Sequence, residues 1–343
     1  MQALVLAGGE GTRLRPLTLT TPKPVMPFAG RPFMTFMLDW LGSHGVDDVI
    51  LSCGFMSDAV ESVLGDIHGG IRLRYVHEEE PLGTAGPLRL ALDTGALQDE
   101  RLFVLNGDVL TDIDLTAERE QHERTGARGT LCLIAVEDPA SYGVVPTGDG
   151  GEVEQFLEKS PGSAPTNRIN AGAYLLERDV IEQIPAGRAV SIEREIFPEL
   201  VGNGLYGYLA AGYWKDIGTP RRYLEGTWDL LAGVIDSTLP ERDETGSLVH
   251  EGGLTSGAHI GPQAVVGHHC SVGSDSSVER AVLHDRVAVG ADCTLRECIV
   301  ADGVRIGDGA EVGPGAVIGK EARIAPGAVV EEDARVQPED EFG

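Results

Sequence analysis

Residues 300–330 read VADGVRIGDGAEVGPGAVIGKEARIAPGAVV, and their apolar residues recur at a fixed interval. Large aliphatic residues stand at every sixth position from Val300 to Val336, with a small or apolar residue two positions before each. The same step holds from Ile260 to Val278, and two steps of five, 278 to 283 and 295 to 300, continue the series. This spacing is typical of a hexapeptide parallel β-helix, whose stacked coils share one core. We therefore predict a hexapeptide-repeat left-handed parallel β-helix over residues 257–343.

The sequence changes character on the N-terminal side of this repeat. Residues 236–256 are polar and aperiodic, which predicts a linker, and residues 1–235 alternate apolar runs with helical patterns. That alternation is typical of an α/β domain with a Rossmann-like, doubly wound, mostly parallel sheet. The predicted strands are 2–7, 47–53, 71–77, 101–105, 130–136 and 205–210, and the predicted helices lie near 33–42, 57–64, 84–94, 116–125, 191–201 and 220–232.

The composition narrows the choice of partners and compartment. The chain of 343 residues is 42% hydrophobic and carries a net charge of −27, which argues against nucleic acid or an anionic membrane as a partner. No run approaches the ~18 apolar residues of a membrane span, and the N-terminus lacks the pattern of a signal peptide. The five cysteines form no CxxC pair, which favours reduced thiols in a cytoplasm over disulfides.

The first candidate site is GGEGTRLRPL, residues 8–17, directly after the apolar run that ends at Ala7. Glycines allow positive φ and a close approach to the backbone, and arginine grips phosphate with paired donors. The stretch is therefore either a phosphate cradle or a glycine turn followed by solvated arginines.

Three further segments could carry charge to such a cradle. Lys23 lies in TPKPVMP, where flanking prolines stiffen the backbone, although a rigid surface loop is the simpler interpretation. Asp108 closes FVLNGD just past a strand, and Asp216 lies in GYWKDIGTP; each could be only a turn or cap residue. Two carboxylates that face a phosphate loop could instead hold Mg²⁺.

Two more segments are ambiguous when taken alone. Glu158 and Lys159 are adjacent in QFLEKS, and Asn170 lies in INAGAYLL. An exposed pair of opposite charges usually contributes little, and an asparagine can simply make a turn.

Taken together, these segments resemble one family. The stretches GGEGTRLRPLT, TPKP, EEEPLGTAG, NGD, FLEK, NAGAY, SIEREIFP and WKDIGTP occur in the order found in the sugar-1-phosphate nucleotidyltransferases. Within that family the chain is most similar to the guanylyltransferases that use mannose-1-phosphate. The resemblance runs through nearly all of residues 1–235 and continues into a hexapeptide domain, as in many members. It implies transfer of a nucleotidyl group from an NTP to a sugar-1-phosphate with release of pyrophosphate, and Mg²⁺ as cofactor.

The resemblance also implies roles for particular residues. The nucleotide would be held by the end of the first strand, the glycine loop and the PLGTAG stretch, with Arg13 on its phosphates. Lys23 would neutralise charge at the reacting centre, and Asp108 and Asp216 would chelate the metal. The implied nucleotide-binding set is Leu6, Ala7, Gly8, Gly9, Gly11, Thr12, Arg13, Pro81, Gly83 and Thr84, and the implied sugar-phosphate set is Gly143, Glu158, Lys159 and Asn170.

The choice of base depends on the glutamates before PLGTAG. Guanine presents two neighbouring donors, N1–H and N2–H₂, whereas thymine and uracil present one N–H between two carbonyls. Glu80, or the carbonyls around it, could accept from both donors, which predicts GTP and mannose-1-phosphate as substrates. The alternative is that all three glutamates are solvated and the backbone chooses the base.

Other functions stay open at this stage. The chain could be a thymidylyl- or uridylyltransferase acting on glucose-1-phosphate, or a non-catalytic subunit that senses sugar nucleotides. A β-helix can also carry an acyltransferase site, although no histidine in it stands out. The glycine spacing does not match the GxGxxG dinucleotide fingerprint. We expect the β-helix to serve assembly into a homo-oligomer.

Overall fold

A computed structural model describes residues 1–157, 165–237, 239–255 and 257–343. These residues pack into two compact units. The first contains residues 1–9 and 37–214, and the second contains residues 10–36 and 215–343. The domain boundary predicted near residue 235 rests on the change in sequence periodicity, and it stays a prediction.

The first unit is built on one mixed sheet. Its strands in the described part of the chain are β1 (Gln2–Leu6), β2 (Asp48–Cys53), β3 (Ile67–His68), β4 (Ile71–His77), β5 (Arg101–Asn106), β6 (Gly129–Ala135), β7 (Arg168–Glu177) and β8 (Leu205–Leu209). Their order is β8-β6-β7-β5-β1-β2-β4-β3. Neighbours run parallel except that β7 is antiparallel to β5 and β6, and β3 is antiparallel to β4. The mostly parallel α/β sheet is therefore confirmed.

Helices alternate with these strands. They are α1 (Phe33–Ser43), α2 (Ser57–Leu64), α3 (Gly86–Asp93), α4 (Leu115–Thr125), α5 (Arg178–Glu182), α6 (Phe197–Leu200) and α7 (Pro220–Leu231). The central strands β1 and β5 are apolar along almost their whole length because both faces of a covered sheet are buried. No helix in the described part of the chain is long and apolar enough to cross a membrane.

The sequence prediction missed one central strand. β7 lies between β5 and β6, and it contains the INAGAYLL stretch. Its pairing with β6 shifts register between Asn170 and Tyr174, where Gly172 adopts a positive φ of 74°. A break of this kind hides the pattern of a strand. The helix predicted over 191–201 is a π-helical turn, Ile192–Ile196, followed by the short α6.

The second unit contains the β-helix. Its short strands stack into three parallel ladders in the described residues. The first ladder is Leu248–Val249, Val265–Val266, Val282–Leu283, Ile299–Val300, Val317–Ile318 and Arg335–Val336. The second is His259–Ile260, Ser277–Glu279, Thr294–Arg296, Glu311–Val312 and Val329–Val330, and the third is Ser271–Val272, Ala288–Val289, Arg305–Ile306, Arg323–Ile324 and Glu341–Phe342.

The repeating aliphatic residues form the core of these coils, as the periodicity predicts. Val300, Ile318 and Leu295 are fully buried, and so are the small residues Ala316 and Cys298. The first strand of the ladders, Leu248–Val249, lies within the stretch predicted as a linker. A coil that lacks the hexapeptide pattern can still pair with the next one because pairing uses backbone groups, here Leu248 N–H with Ala264 O at 2.9 Å.

The second unit also contains residues 10–36. These form 3₁₀ turns at Thr12–Leu14, Leu17–Leu19 and Lys23–Val25, and a small hairpin of Pro27–Phe28 with Arg31–Pro32. Helix α7 begins at Pro220, where Thr219 caps it by accepting the Arg222 N–H.

Candidate active site

In the first unit, the candidate residues lie at the carboxyl edge of the parallel strands. Strands β1, β2, β4 and β5 all run parallel and therefore end at the same edge of the sheet. The backbone links their ends, since Ala7 N–H donates to Ser52 O at 2.9 Å and Gly107 N–H donates to Leu6 O at 3.0 Å. This edge is where open α/β sheets bind ligands.

Gly8 and Glu78 meet at this edge. A Cβ on Gly8 would lie 2.9 Å from Glu78 Oε1, so the position leaves no room for a side chain. The Glu78 carboxylate accepts hydrogen bonds from Ser52 Oγ at 2.7 Å and from Leu82 N–H at 2.9 Å. Glu78 therefore ties the glycine that follows β1 to the start of the PLGTAG loop.

The same loop is held at its other end by residues 190–193. Ala85 N–H donates to Val190 O and Val190 N–H donates to Leu82 O, both at 2.9 Å. Gly83 adopts a positive φ of 74°, and a Cβ there would lie 2.5 Å from Val190 O. Glycine is needed here both for its conformation and for this close approach.

The Thr84 side chain also joins the PLGTAG loop to residues 190–193. Its hydroxyl donates to Glu193 Oε2 at 2.7 Å and accepts the Ile192 N–H at 2.8 Å. Glu193 Oε2 also accepts from Ser191 Oγ at 2.9 Å. Pro81 and Gly83 are exposed on the loop, as are Glu79 and Glu80.

The predicted sugar-binding residues Gly143 and Asn170 lie together. Asn170 N–H donates to Gly143 O at 3.0 Å, and Asn170 Nδ2 donates to the Tyr174 hydroxyl at 2.8 Å. Burial raises the pKa of that hydroxyl, and the nearby carboxylate of Glu193 adds to the shift. Tyr174 thus stays a neutral hydrogen-bonding partner for Asn170.

Contacts around the β7 register shift hold Asn170 in place. Asn170 Oδ1 accepts the Gly172 N–H at 2.9 Å, and Gly172 lies against the Asn106 side chain. Trp214 Nε1 donates to Ala171 O at 2.7 Å, and its ring packs edge-on against Tyr142, with centroids 5.5 Å apart. The irregular backbone is therefore fixed on both sides. Glu158 and Lys159 lie outside the described residues.

Asp108 stands between β5 and the short strand Val109–Thr111, half-buried at the same carboxyl edge. Its neighbour Gly107 passes so close to Leu6 O that a Cβ there would lie 2.6 Å from it. The position of Asp108 is therefore set by the backbone of two central strands.

In the second unit, the glycine loop continues as a compact turn. Gly11 has a positive φ of 62° and caps the 3₁₀ turn that carries Thr12 and Arg13. The Gly11 carbonyl accepts from Thr18 Oγ1 and from Leu14 N–H, both at 2.9 Å. Thr12 and Arg13 are exposed, whereas Lys23 is buried to all but 8% between its two prolines. A lysine held in this way is directed by its surroundings, as a phosphate-neutralising group must be.

Arg13 and Asp216 approach each other over Gly218. The Asp216 carboxylate accepts from Arg222 Nη1 at 2.7 Å and from the Gly218 N–H at 2.7 Å. A Cβ on Gly218 would lie 2.6 Å from Arg13 Nη2 and 2.7 Å from Asp216 Oδ1. The phosphate-contacting and metal-binding candidates of this unit are thus neighbours.

The sequence analysis chose Glu80 over its neighbour Glu78, and it did not single out Glu193 or Gly218. All three lie in segments quoted for the family resemblance, EEEPLGTAG, SIEREIFP and WKDIGTP. Their contacts join residues far apart in the chain, so no local pattern distinguishes them from their neighbours.

Comparisons with known proteins identify the family of this chain. The Nucleotidyl transferase family model matches residues 2–233, and the EIF2B subunit epsilon LbH domain model matches residues 248–330. The chain is 42% identical to a Mannose-1-phosphate guanylyltransferase of Mycobacterium tuberculosis, over 84% of this chain and 81% of that protein. It is 37% identical to Mannose-1-phosphate guanylyltransferase 1 of Arabidopsis thaliana, over 89% of this chain and 82% of that protein.

A solved structure is similar as well. Yersinia pseudotuberculosis HddC, in a crystal structure complexed with GMP-PN, superposes with a TM-score of 0.56 at 28% identity. The match covers 66% of this chain and 97% of HddC.

The chain belongs to the nucleotidyl transferase family. It is a sugar-1-phosphate nucleotidyltransferase, whose substrates are a nucleotide and a sugar-1-phosphate, and its C-terminal domain is a left-handed β-helix. Enzymes of this family generally use a divalent metal ion.

Proposed function

We propose that this enzyme makes GDP-mannose and pyrophosphate from GTP and mannose-1-phosphate in the cytoplasm. The observation that carries the proposal is the 37–42% identity, over most of the chain, to proteins named mannose-1-phosphate guanylyltransferase. The similarity to HddC, solved with the guanine nucleotide GMP-PN, supports the choice of base.

Charge neutralisation and alignment account for the chemistry. An oxygen of the sugar phosphate attacks the α-phosphorus in line, and pyrophosphate leaves, so two polyanions must be brought together. Arg13 and Lys23 would bind the triphosphate, and Lys159 would bind the sugar phosphate. Each opposite charge at ~4 Å contributes roughly 4 kcal/mol at an effective dielectric of 20. The contribution grows as negative charge develops on the leaving group.

We propose Mg²⁺ as the metal, with Asp108 and Asp216 as its protein ligands. Carboxylate oxygens are the donors that Mg²⁺ prefers, and it commonly binds one or two carboxylates together with substrate phosphates. Asp216 fits this role because Arg222 and the Gly218 N–H already hold its carboxylate in one orientation. The ion would offset phosphate charge and polarise the reacting phosphoryl group.

The sugar would be bound beside Gly143 and Asn170, with Glu158 as a further hydroxyl partner. Two hydrogen bonds hold the Asn170 side chain: its Nδ2 donates to the Tyr174 hydroxyl, and its Oδ1 accepts the Gly172 N–H. A polar group fixed in this way can distinguish one hydroxyl configuration from another because the wrong epimer leaves it unpaired.

The base would be read beside the PLGTAG loop, where two glutamates compete for the role. Glu80, the residue predicted from sequence, is exposed on the loop. Glu78 has a fixed carboxylate beside Gly8, and each of its oxygens keeps a lone pair for a further donor. Comparing Glu78→Gln with Glu80→Gln separates the two: only the residue that reads guanine should lower GTP selectivity, by roughly 5- to 150-fold.

The test of the whole proposal is a matrix of GTP, ATP, UTP and dTTP against several hexose-1-phosphates, read by pyrophosphate release. We expect the highest kcat/KM for GTP with mannose-1-phosphate. A preference for dTTP or UTP with glucose-1-phosphate would refute the guanylyltransferase assignment and leave the nucleotidyltransferase class intact.

We also propose that the chain forms a homo-oligomer through the β-helix. Its late coils alternate small and aliphatic residues, and Val329 is half exposed on the outer face of one ladder. Light scattering should give fewer subunits per particle for a chain that ends near residue 240 than for the full chain. An equal subunit number would place the assembly surface elsewhere.

A further inference from the structure

We infer that Gly218 is a positioning residue for the reaction. Because it has no side chain, the side chains of Arg13 and Asp216 can both lie against it. This inference rests on the proposed function, in which Arg13 binds the nucleotide phosphates and Asp216 binds the metal. Gly218 itself contacts neither substrate in this account.

The backbone does not explain why residue 218 is glycine. Gly218 does not have a positive φ, so an alanine there would not meet the penalty of the left-handed region. The reason is spatial: a Cβ would come within 2.6 Å of Arg13 Nη2, 3.1 Å of Arg13 Cζ and 2.7 Å of Asp216 Oδ1. All three atoms belong to side chains that the proposed function uses.

The backbone at this point is held on both sides of Gly218. The Gly218 N–H is bonded to Asp216 Oδ1 at 2.7 Å, and the preceding Ile217 is fully buried. The next residue, Thr219, caps α7, whose first position is Pro220. The clash made by an added Cβ must therefore be relieved by a shift of the Arg13 or the Asp216 side chain.

Of those two side chains, Arg13 should yield first. Asp216 is held by Arg222 as well as by the Gly218 N–H, whereas Arg13 is exposed on a short 3₁₀ turn. The fold should tolerate the change, because only the end of a long side chain has to shift. The nucleotide phosphates would then lose an aligned guanidinium.

The experiment compares Gly218→Ala with the wild-type full chain in thermal unfolding, in equilibrium binding of NTP and in kinetics. We expect an unchanged Tm, a KM and Kd for the NTP raised roughly 10- to 100-fold, and a KM for the sugar phosphate changed by less than about threefold. Kinetics use the substrate pair that the wild type prefers, so an error in the base or sugar assignment does not affect the comparison.

Two further variants make the test specific. Gly148→Ala is the matched control, because Gly148 also lacks a positive φ and its Cβ would meet nothing closer than Glu152 Oε2 at 3.5 Å. It should behave as the wild type. In an Arg13→Lys background the obstructing guanidinium is absent, so Gly218→Ala should change the NTP Kd by no more than about twofold.

Three results would overturn the inference. They are an unchanged NTP Kd in Gly218→Ala, a Tm lowered well beyond that of Gly148→Ala, and an equal effect of Gly218→Ala in the Arg13→Lys background. If the wild type turned over no substrate pair, the proposed function would fail, and the NTP Kd would still decide the role of Gly218.

Discussion

The two kinds of β-structure in this chain use their strands differently. In the mixed sheet, parallel strands such as β1 and β5 end at one edge, the antiparallel β7 begins there, and the candidate residues of this unit lie at that edge. In the β-helix, nearly identical strands of two or three residues repeat, and the core is a stack of aliphatic and small side chains. The comparison teaches that the candidate residues lie on irregular loops, whereas the regular coils form a framework.

The largest effect should come from the carboxylates after the strands. Asp108→Asn and Asp216→Asn should each lower kcat by at least about 100-fold, because each removes negative charge from the metal site. Steady-state kinetics at saturating Mg²⁺ measure this. Asp93→Asn, an exposed helix residue paired with Arg89, is the control and should keep normal turnover. Near-normal turnover in either of the first two variants would remove that residue from the metal site.

A somewhat smaller and more selective effect should follow from Lys159→Met. Loss of a charge-assisted hydrogen bond to phosphate costs about 1.5–3 kcal/mol, which corresponds to a roughly 10- to 150-fold higher KM for the sugar phosphate. The KM for the NTP should change little. Lys320→Met in the β-helix, where the lysine lies beside Glu321, should leave both KM values unchanged. A larger effect on the NTP would mean that Lys159 binds the other substrate.

The β-helix also supports the segment that carries Arg13 and Lys23, and Gly30 tests this. Tyr223 of α7 donates to the Pro27 carbonyl and contacts His284 Nε2 at 3.2 Å, and His250 Nε2 donates to Ala29 O at 3.2 Å. A Cβ on Gly30 would overlap the His250 imidazole. Gly30→Ala should therefore lower the free energy of unfolding by about 1–3 kcal/mol more than its control.

Gly45→Ala is that control, because its φ of 81° nearly equals the 79° of Gly30 and a Cβ there would meet nothing within 4 Å. Denaturant unfolding of both variants measures the difference. In a His250→Ala background, most of the additional destabilisation caused by Gly30→Ala should disappear. Equal costs for the two glycine variants would show that the His250 contact contributes nothing.

The last effect, similar in size to that of Gly30→Ala, concerns a difference between the two cores. Glu118 on α4 is fully buried, and neither of its carboxylate oxygens has a hydrogen-bond partner among the described residues, whereas the buried Ser276 and His284 of the β-helix are hydrogen-bonded. Burial raises the pKa of this carboxyl well above its ordinary value. The folded state therefore favours the protonated acid, and the free energy of unfolding falls as pH rises from the ordinary range of a glutamate.

Glu118→Met should remove this loss of stability at higher pH. We expect it to stabilise the protein by about 1–3 kcal/mol at neutral pH and by less near pH 4, as measured by thermal unfolding against pH. Glu120→Met, an exposed neighbour on the same helix, should show no such pH dependence. A gain that is independent of pH would mean that Glu118 does not titrate with folding.

Much of this molecule follows from local pattern. The six-residue step identified the β-helix and its core, and apolar runs identified β1, β2, β4, β5, β6 and β8 within about two residues. Strand β7 was not predicted because Asn170 and Gly172 interrupt its pattern. The helix predicted from residue 84 begins at Gly86, because Leu82 and Ala85 form backbone hydrogen bonds with Val190 instead. A register shift and a loop held by a distant segment leave no periodic signal.

The sequence by itself determined the two folds, because burial repeats with the period of each backbone. Its glycine, lysine and aspartate motifs are continuous, and they predict which segments carry the chemistry. Only the tertiary structure decided which member of each motif contacts residues remote in the chain. Glu78 rather than its two neighbours is tied to Ser52, Thr84 is bonded to Glu193, and Gly218 lies beneath Arg13 and Asp216. Such assignments depend on distances between side chains remote in the chain, which no local rule of periodicity or composition contains.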